Sequence, residues 1–326
     1  TPQQQPQQQQ TNSGVLVFSG CRTRPSRSAA SSSCSISCWL MKPAGVLAAR
    51  AAVPIVPVHI MGAFEVWPKE RLIPRLGEIS LIFGIGFIFT DDITNVARDF
   101  PEKRFACVDY TYDTAKALPP NLVALEFKEE EGSFLVGALA ALLTKTNMVG
   151  FVGGMQSPLI KKFEIGYLSG AKYVNPGCEV LVSYAGITGD AFKNPGKGKE
   201  LALGQYERGA DIIYHASGVT GLGVFEAARE KHKLAIGVDS DQYLEAPGFI
   251  LTSMIKVVDN AVYDMIKAEK EGRFSGGSAI LFDVRSKGVD YIYDAHNSIL
   301  IPDQVHAKVE EIRNKIISGE IKVSYQ

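Results

Sequence analysis

The chain has 326 residues, which is enough for two domains, because a single hydrophobic core rarely grows beyond about 250 residues. Apolar residues make up 46% of the chain and charged residues 21%, and the formal net charge is −1. This balance excludes a chain that is disordered throughout, and it lacks the basic excess typical of proteins that bind nucleic acid. We therefore expect no nucleic-acid partner.

The cysteines and the longest apolar run argue against two further classes of protein. The cysteines are odd in number and scattered, so they predict neither a disulfide framework nor a zinc site: Cys21, Cys34, Cys38, Cys107 and Cys178. The longest apolar run, Val46 to Phe64, is interrupted by Arg50, two prolines and His59, which suits neither a membrane-spanning helix nor a signal peptide. We predict no metal, no cofactor and no membrane span.

The first 79 residues differ in composition from the rest of the chain. Residues 1–40 join a Gln/Pro tract to a Ser/Arg/Cys stretch without strand or helix periodicity, so we predict that they are disordered. Within them, Phe18 to Cys21 is similar to a lipoprotein cleavage site, but the apolar stretch before it is shorter than the roughly 7–15 residues of a signal peptide. Residues 41–79 form a second, Ala-rich segment, and the main domain is predicted to begin near Ser80.

Strands and helices alternate from Ser80 to the end of the chain. The predicted strands are 80–84, 104–109, 148–152, 179–184, 211–215 and 234–239. The predicted helices are 91–100, 131–144, 159–175, 196–208, 221–231, 257–271 and 304–318. This alternation predicts an α/β fold in which helices cover both faces of doubly wound parallel sheets.

Polar, aromatic and glycine residues follow the predicted strands at their carboxyl ends. Ligands of open parallel sheets bind beyond these ends, so the residues there are candidates for a ligand site. In chain order they are Asp109, Met155 after two glycines, Phe192, the segment Ser217 to Gly223, and Asp239. Acceptors for hydroxyl groups, an aromatic ring and backbone amides suit a sugar or a nucleoside, whose apolar ring faces alternate with polar edges.

Three of the candidate side chains have both a functional and a structural interpretation. Phe192 either stacks on a flat ligand ring or fills the edge of the core. Asp239 ends a strand of buried character, so either ligand hydroxyls or a local cap must satisfy its carboxylate. Lys256 is long enough to reach a ligand hydroxyl or to pair with Asp239, and its alternative is a surface lysine at a helix start.

The string Ser217 to Gly223 contains three of the candidate glycines, Gly218, Gly221 and Gly223, together with Thr220. The Lys-Ser/Thr ending of a phosphate-binding loop is missing, as is the glycine spacing of a dinucleotide site, so neither ATP nor NAD binding is supported. The glycines are consistent with a tight turn from strand to helix and also with close approach of the backbone to a ligand.

The sequence offers few candidates for catalysis. His215 stands at a strand end without a neighbouring nucleophile motif, so we predict a core histidine with satisfied hydrogen bonds. Lys128 to Glu131 is interpreted as a polar helix start, since acids are favoured near a helix N-terminus. We assign no catalytic residue and predict that the chain is not an enzyme.

Several strings after Ser80 together resemble the basic membrane protein family of substrate-binding lipoproteins of ABC importers, many of which are purine-nucleoside receptors. They are Phe127 to Ser133, Val149 to Met155, Pro158 to Ile160, Phe163 to Tyr167, Ala171 to Pro176, Gly196 to Glu200, Gly221 to Val224 and Gly237 to Gln242. The resemblance covers residues 80–326. It implies the fold of a type I periplasmic binding protein, with an N-lobe at about 80–125 plus a late crossover and a C-lobe at about 126–250.

The resemblance also implies roles for individual residues. Phe192 would stack on the ligand, Asp239 would bind ribose hydroxyls, Lys256 would assist at the crossover between lobes, and Asp109 would face the cleft from the other lobe. The ligand would be a nucleoside or sugar captured between two lobes, and the partners would be ABC permease subunits. The location would be the periplasm or the cell membrane, with the membrane reached through a lipid anchor that we do not find in this chain.

The N-terminal part departs from that family. Its signal peptide, lipidated cysteine and first strand with a Ser-Phe-Asn loop are not found, so we expect an incomplete N-lobe. Residues 42–76, notably Val53 to Gly62 and Trp67-Pro68, resemble the late block of a glycerolipid acyltransferase but lack its His-x4-Asp pair. Two interpretations of the N-terminal part follow: a chimeric reading frame, or an acyltransferase remnant fused to a non-functional binding domain. A separate alternative for the whole chain is a sensory binding domain of similar fold.

Overall fold

The computed structural model describes residues 14–20, 55–60, 79–113 and 116–325, with the backbone alone for 14–20, 55–60 and 79. The chain divides into two compact units. The first unit consists of Thr1–Leu125 with Asp259–Ala279, and the second of Glu126–Val258 with Ile280–Gln326. The chain therefore passes from one unit to the other three times, at 125/126, 258/259 and 279/280.

Twelve strands and seven α-helices lie in the described residues. The strands are β1 Gly14–Gly20, β2 Ile55–Ile60, β3 Ile79–Ile85, β4 Arg104–Val108, β5 Leu122–Phe127, β6 Met148–Met155, β7 Glu179–Gly186, β8 Ile212–Ala216, β9 Leu234–Asp239, β10 Ile250–Lys256, β11 Ser278–Phe282 and β12 Val289–Tyr291. The helices are α1 Thr90–Asp99, α2 Glu129–Leu143, α3 Pro158–Val174, α4 Pro195–Glu207, α5 Gly221–Lys231, α6 Val258–Lys270 and α7 Asp303–Ser318.

The strands form two six-stranded sheets with the same order. The first sheet runs β11-β5-β4-β3-β1-β2 and the second runs β12-β10-β9-β8-β6-β7. Counted within each sheet, the first five strands have the order 2-1-3-4-5 of a doubly wound fold. The pairs β3-β4, β4-β5, β6-β7, β6-β8, β8-β9 and β9-β10 are parallel, and β10-β12 is antiparallel. The predicted α/β class with doubly wound parallel sheets is confirmed.

The first sheet differs from the sequence prediction at its outer strands. Gly14–Gly20 is a strand although residues 1–40 were predicted to be disordered, and Ile55–Ile60 is a strand within the acyltransferase-like segment. β1 pairs in parallel with both β2 and β3. In its strands the expected incomplete N-lobe is therefore not observed, because two apolar runs join the sheet through long-range pairing. The remainder of residues 1–78 lies outside the described residues.

One part of the core of the second unit is built around α2. Every residue of α2 from Glu129 to Ala141 is buried, which agrees with a helix that is apolar on all sides after its first turn. α2 contacts α3 so closely that a Cβ on Gly137 would lie 2.1 Å from the carbonyl oxygen of Tyr167. A Cβ on Gly170 would similarly lie 2.0 Å from the carbonyl oxygen of Phe134. Glycine is required at these positions because the two backbones are in contact.

No helix among the residues that were searched is long and apolar enough to cross a membrane. Cys107 and Cys178 are both buried and free. The described part of the chain contains no cluster of three or more His, Cys, Asp or Glu side chains that could bind a metal ion.

Candidate functional site

The carboxyl edge of the second sheet collects most of the candidate residues. Gly153 of β6 pairs with Ala216 of β8, and Met155 pairs with Gly186 of β7, so these three strands end at the same edge. The chain continues from β6 and β8 on opposite sides of this point, which is the topological switch of a doubly wound sheet. A crevice for a ligand is expected at such a switch.

Phe192 lies at this edge and contacts two glycines. It ends a short 3-10 turn, Gly189–Phe192, that follows β7, and its side chain is half-buried. A Cβ on Gly154 would lie 2.3 Å from the Phe192 ring, and a Cβ on Gly218 would lie 3.3 Å from the Phe192 carbonyl oxygen. Gly154 therefore leaves room for the ring, and Phe192, Gly154 and Gly218 come together as neighbours.

Thr220 fixes the turn that carries Phe192. Its hydroxyl is buried, donates to the carbonyl oxygen of Ala191 at 2.7 Å and accepts from the backbone N–H of Asn194 at 2.8 Å. Ala191 and Asn194 lie on either side of Phe192 in the sequence, so the hydroxyl fixes the backbone before and after this residue. Because the hydroxyl is buried and already hydrogen-bonded, the geometry favours a positioning role for Thr220 over direct contact with a ligand.

The three candidate glycines have different surroundings. Gly218 is exposed and has a left-handed φ of +58°, a conformation that glycine adopts readily. Gly221 and Gly223 are buried, and a Cβ would lie 2.1 Å from the His215 ring at Gly221 and 1.8 Å from the carbonyl oxygen of Pro195 at Gly223. Packing of α5 explains the latter two glycines, whereas Gly218 is accessible at the edge of the sheet.

Asp239 is exposed, so one premise of the sequence analysis was wrong. We expected burial to require a ligand or a cap for its carboxylate, but β9 reaches the surface at its last residue. Asp239 instead has a left-handed φ of +67°, which is uncommon for residues other than glycine and most tolerated by Asn and Asp. An unusual backbone at a strand end keeps Asp239 a candidate for binding a ligand, for a different reason.

Lys256 is buried and forms an ion pair with Glu129. Its Nζ lies 3.2 Å from Glu129 Oε1, without hydrogen-bond geometry, and 5.0 Å from the centre of the Phe127 ring. The other oxygen, Glu129 Oε2, accepts from Lys162 Nζ at 3.1 Å. The ion pair of Lys256 with Glu129 shows that β10 and the first turn of α2 meet in the core.

The carboxylates at the start of α2 are buried, which the sequence pattern alone did not predict. The polar helix start at Glu129, Glu130 and Glu131 is buried, with exposed fractions of 0%, 4% and 7%. One signal in the sequence could have indicated this: the rest of α2 is apolar on every side, and a helix buried all round has a buried first turn. The three glutamates thus form a charged cluster with three lysines, Lys128, Lys162 and Lys256, and the carboxylates of this cluster are buried.

Within the second unit, this charged cluster connects three chain segments: the one just after the boundary at 125/126, the one just before the boundary at 258/259, and the one just after the boundary at 279/280. Lys128 Nζ donates to Glu131 Oε1 at 2.8 Å, and Glu131 Oε2 accepts from the backbone N–H of Val284 at 3.1 Å. The Phe127 and Phe282 rings stack with centroids 5.0 Å apart. Together with Lys256, these contacts join three separate segments within the second unit.

Glu130, like Glu129, has one carboxylate oxygen without a hydrogen bond, but Glu129 Oε1 forms an ion pair with Lys256. Glu130 Oε2 is buried and has no hydrogen-bond partner among the residues that the structure describes. Burial raises the pKa of Glu130 from 4.5 to about 7, although Lys162 lowers it in part. This carboxyl group is therefore a candidate for a change of protonation near neutral pH.

His215 is a core histidine with satisfied hydrogen bonds, as predicted. It is fully buried, its Nε2 lies 3.0 Å from Gln242 Oε1, and its Nδ1 lies 3.4 Å from Ser217 Oγ. Burial lowers the pKa of His215 to about 4, so the ring is neutral at physiological pH. Gln242, which lies three residues after Asp239, was not among the predicted site residues.

Asp109 belongs to the first unit and repeats the backbone of Asp239. It follows β4 directly, has a left-handed φ of +60°, and its N–H donates to the carbonyl oxygen of Leu125 at 2.9 Å. β4 has the same place in the first sheet that β9 has in the second. The two sheets therefore present an aspartate of the same conformation at corresponding strand ends.

Comparison with known proteins gives a consistent result. The family of PnrA-like ABC transporter substrate-binding proteins matches residues 76–326. The CD4+ T-cell-stimulating antigen of Listeria monocytogenes is 40% identical over 262 residues, which cover 76% of this chain and 70% of that protein. The ABC transporter nucleoside-binding protein BmpA of Lactococcus lactis is 36% identical, over 75% of this chain and 71% of that protein.

Solved structures agree with these sequence relatives. A solute-binding protein of an ABC transporter system from Aeropyrum pernix matches with a TM-score of 0.76 and 26% identity, covering 96% of this chain and 94% of that one. A second solute-binding protein, from Conexibacter woesei, matches with a TM-score of 0.69 at 20% identity and supports the fold.

Proposed function

Because the chain belongs to the family of PnrA-like ABC transporter substrate-binding proteins, we propose that it binds a purine nucleoside or a related sugar-containing ligand. The family binds solutes for transport and does not transform them, so the chain is not an enzyme. Its partners are a small-molecule ligand and the membrane components of an ABC transporter. The identity of the ligand is the part that we propose.

The observation that carries this proposal is that Phe192 and Asp239 both lie at the carboxyl edge of the second sheet. Phe192 touches Gly154, one residue before the end of β6, and Gly218, two residues after the end of β8. Asp239 ends β9, the strand next to β8. A half-buried aromatic ring suits stacking on a flat base. An exposed carboxylate is an acceptor for the hydroxyl groups of a sugar.

The relatives support the same ligand class. The Lactococcus lactis protein is described as a nucleoside-binding protein and is 36% identical to this chain. We extend this ligand class to the present chain because its strand ends offer an aromatic ring and a carboxylate together. We further propose that the protein acts outside the cytoplasmic membrane as an anchored lipoprotein.

Isothermal titration calorimetry of the full chain with inosine, guanosine, adenosine and ribose tests the ligand assignment. We expect binding of at least one nucleoside, and we expect Asp239→Asn to weaken it by about 1.5 kcal/mol or more, the scale of a hydrogen bond to a charged group. The matched control is Asp241→Asn, which removes the same charge from an exposed aspartate two residues further along the chain.

Two results would contradict the proposal. The absence of heat with all four ligands would refute the assignment to nucleosides and sugars. Equal losses of affinity in Asp239→Asn and Asp241→Asn would show a general effect of charge, and Asp239 would then be removed from the site.

A further inference from the structure

A buried imidazole connects the carboxyl ends of β8 and β9. The His215 ring is fully buried and packs edge-on against Phe225, with ring centroids 4.9 Å apart at 75°. On another side it is limited by Gly221, where even a Cβ would lie 2.1 Å from the ring. The ring is therefore confined, and its two nitrogens point in fixed directions.

The hydrogen bonds select a single tautomer of His215. Gln242 Oε1 lies 2.8 Å from the backbone N–H of Val238, which can donate but not accept. The same oxygen lies 3.0 Å from His215 Nε2, so the imidazole proton must reside on Nε2. Nδ1 then accepts from the hydroxyl of Ser217.

These bonds end beside the two left-handed positions of the candidate site. Val238 directly precedes Asp239, with φ +67°, and Ser217 directly precedes Gly218, with φ +58°. The backbone N–H of Gln242 also donates to Ser253 Oγ at 3.0 Å on the neighbouring strand β10. The segment from Val238 to Gln242 is thus fixed at both of its ends, although left-handed backbone is unfavourable for an aspartate.

We propose that His215, acting through Gln242, is a positioning residue that stabilises the left-handed backbone of Asp239 and so sets how its carboxylate is presented to the ligand. This inference deepens the proposed function and rests on it. His215 and Gln242 are both buried, so their effect on the ligand passes through Asp239 and Gly218.

The neutral state of the ring agrees with this role. Burial lowers the pKa of His215, and the hydrogen bond to Gln242 opposes that shift only in part. The Nε2–H tautomer, and with it the presentation of Asp239, is therefore maintained across the pH range in which a surface histidine titrates.

The test compares His215→Phe, which removes both ring nitrogens, with His215→Gln, whose side-chain amide can donate from the position of Nε2. Each is made in the wild-type protein and in Asp239→Ala, and affinity for the best-bound nucleoside is measured by calorimetry. We expect His215→Phe to weaken binding at least tenfold when Asp239 is present and less than threefold in Asp239→Ala. His215→Gln should recover most of the lost affinity.

A second readout needs no ligand. Backbone chemical shifts of Asp239 report its φ, and nitrogen shifts of His215 report its tautomer. We expect the left-handed shifts and the Nε2–H tautomer in the wild type, and loss of the left-handed shifts in His215→Phe. Gln242→Leu, which removes the shared acceptor, is measured in the same way if His215→Phe does not fold.

The outcomes separate this inference from the proposed function. If no nucleoside binds but the shifts of Asp239 change as expected, the ligand assignment fails and the positioning role stands. The positioning role is overturned if Asp239 keeps its left-handed backbone in His215→Phe or Gln242→Leu. It is also overturned if the loss of affinity is equally large in Asp239→Ala.

Discussion

Replacing Glu130 with glutamine removes a carboxyl group that the second unit buries with one oxygen unpaired. The side chain is 4% exposed, and among the described residues its Oε2 has no hydrogen-bond partner. The groups that face it are Lys162 on α3 and the carboxylates of Glu129 and Glu131, and Lys162 already donates to Glu129. Burial raises the pKa of Glu130 from 4.5 to about 7.

The sign of the effect on stability follows from this direction. A carboxyl whose pKa is higher in the folded protein than in the unfolded chain favours folding in its protonated form. Its contribution is fully present below pH 4.5 and is lost as the pH rises through about 7. The difference between these pKa values corresponds to about 3 kcal/mol, at about 1.4 kcal/mol for each pH unit.

Glutamine resembles the protonated carboxyl and does not titrate. In Glu130→Gln the contribution of residue 130 to the free energy of unfolding should therefore stay constant over this pH range. Relative to the wild type, the free energy of unfolding of Glu130→Gln should rise by about 3 kcal/mol between pH 4.5 and pH 8.5. The assay is urea unfolding followed by circular dichroism at several pH values. The matched control is Glu311→Gln, an exposed glutamate on α7, whose difference from the wild type should not change with pH.

A difference between Glu130→Gln and the wild type that is independent of pH would refute this reasoning. So would a difference that shrinks as the pH rises, because it would mean that the cluster stabilises the charged form of Glu130.

Three further substitutions test the packing and the charged cluster, all by urea unfolding. Gly223→Ala places a Cβ 1.8 Å from the carbonyl oxygen of Pro195 and should destabilise by about 2 kcal/mol or more, whereas Gly204→Ala, which meets nothing within 4 Å on the exposed face of α4, should stabilise by about 0.5–1 kcal/mol. Equal effects would contradict the close approach of α4 and α5. Thr220→Val leaves two backbone groups unpaired and should cost about 2 kcal/mol, most of it recovered in Thr220→Ser, and a serine variant no better than valine would contradict the role of the hydroxyl. Glu129→Gln removes the negative partner of the buried Lys256 and the half-buried Lys162 and should cost about 3–5 kcal/mol, so a loss below about 1 kcal/mol would show that the ion pairs contribute little.

Much of the second unit was predictable because its signals are local. Ser157 accepts from the N–H of Ile160 at the start of α3, and Asn194 accepts from the N–H of Lys197 at the start of α4. In both helices a proline occupies the first turn. Helix caps, prolines and short apolar runs act within a few residues, so the sequence alone predicts these helices and strands.

The strand-end position of Phe192 and Asp239 also followed from the sequence, since parallel strands end at a common edge. Their environments did not follow. Asp239 was expected to be buried and is exposed, and the charged start of α2, interpreted from the sequence only as a polar helix start, is buried. Burial depends on which distant segments cover a residue, and local patterns carry little of that information.

Several strands, among them β1, β2 and β11, were not assigned from the sequence for the same reason. β1 pairs with β2 and β3, whose residues lie some 40 and 65 positions away, and β11 joins the first sheet late in the chain. Short apolar runs such as Gly14–Gly20 become strands when a sheet edge is available to pair with them. The sequence by itself determined the α/β alternation, the family and the residues at the strand ends. The tertiary structure decided the ion pair of Lys256 with Glu129, the unpaired Oε2 of Glu130 and the link from His215 to Asp239, because each depends on side chains that meet only when segments far apart in the chain pack together.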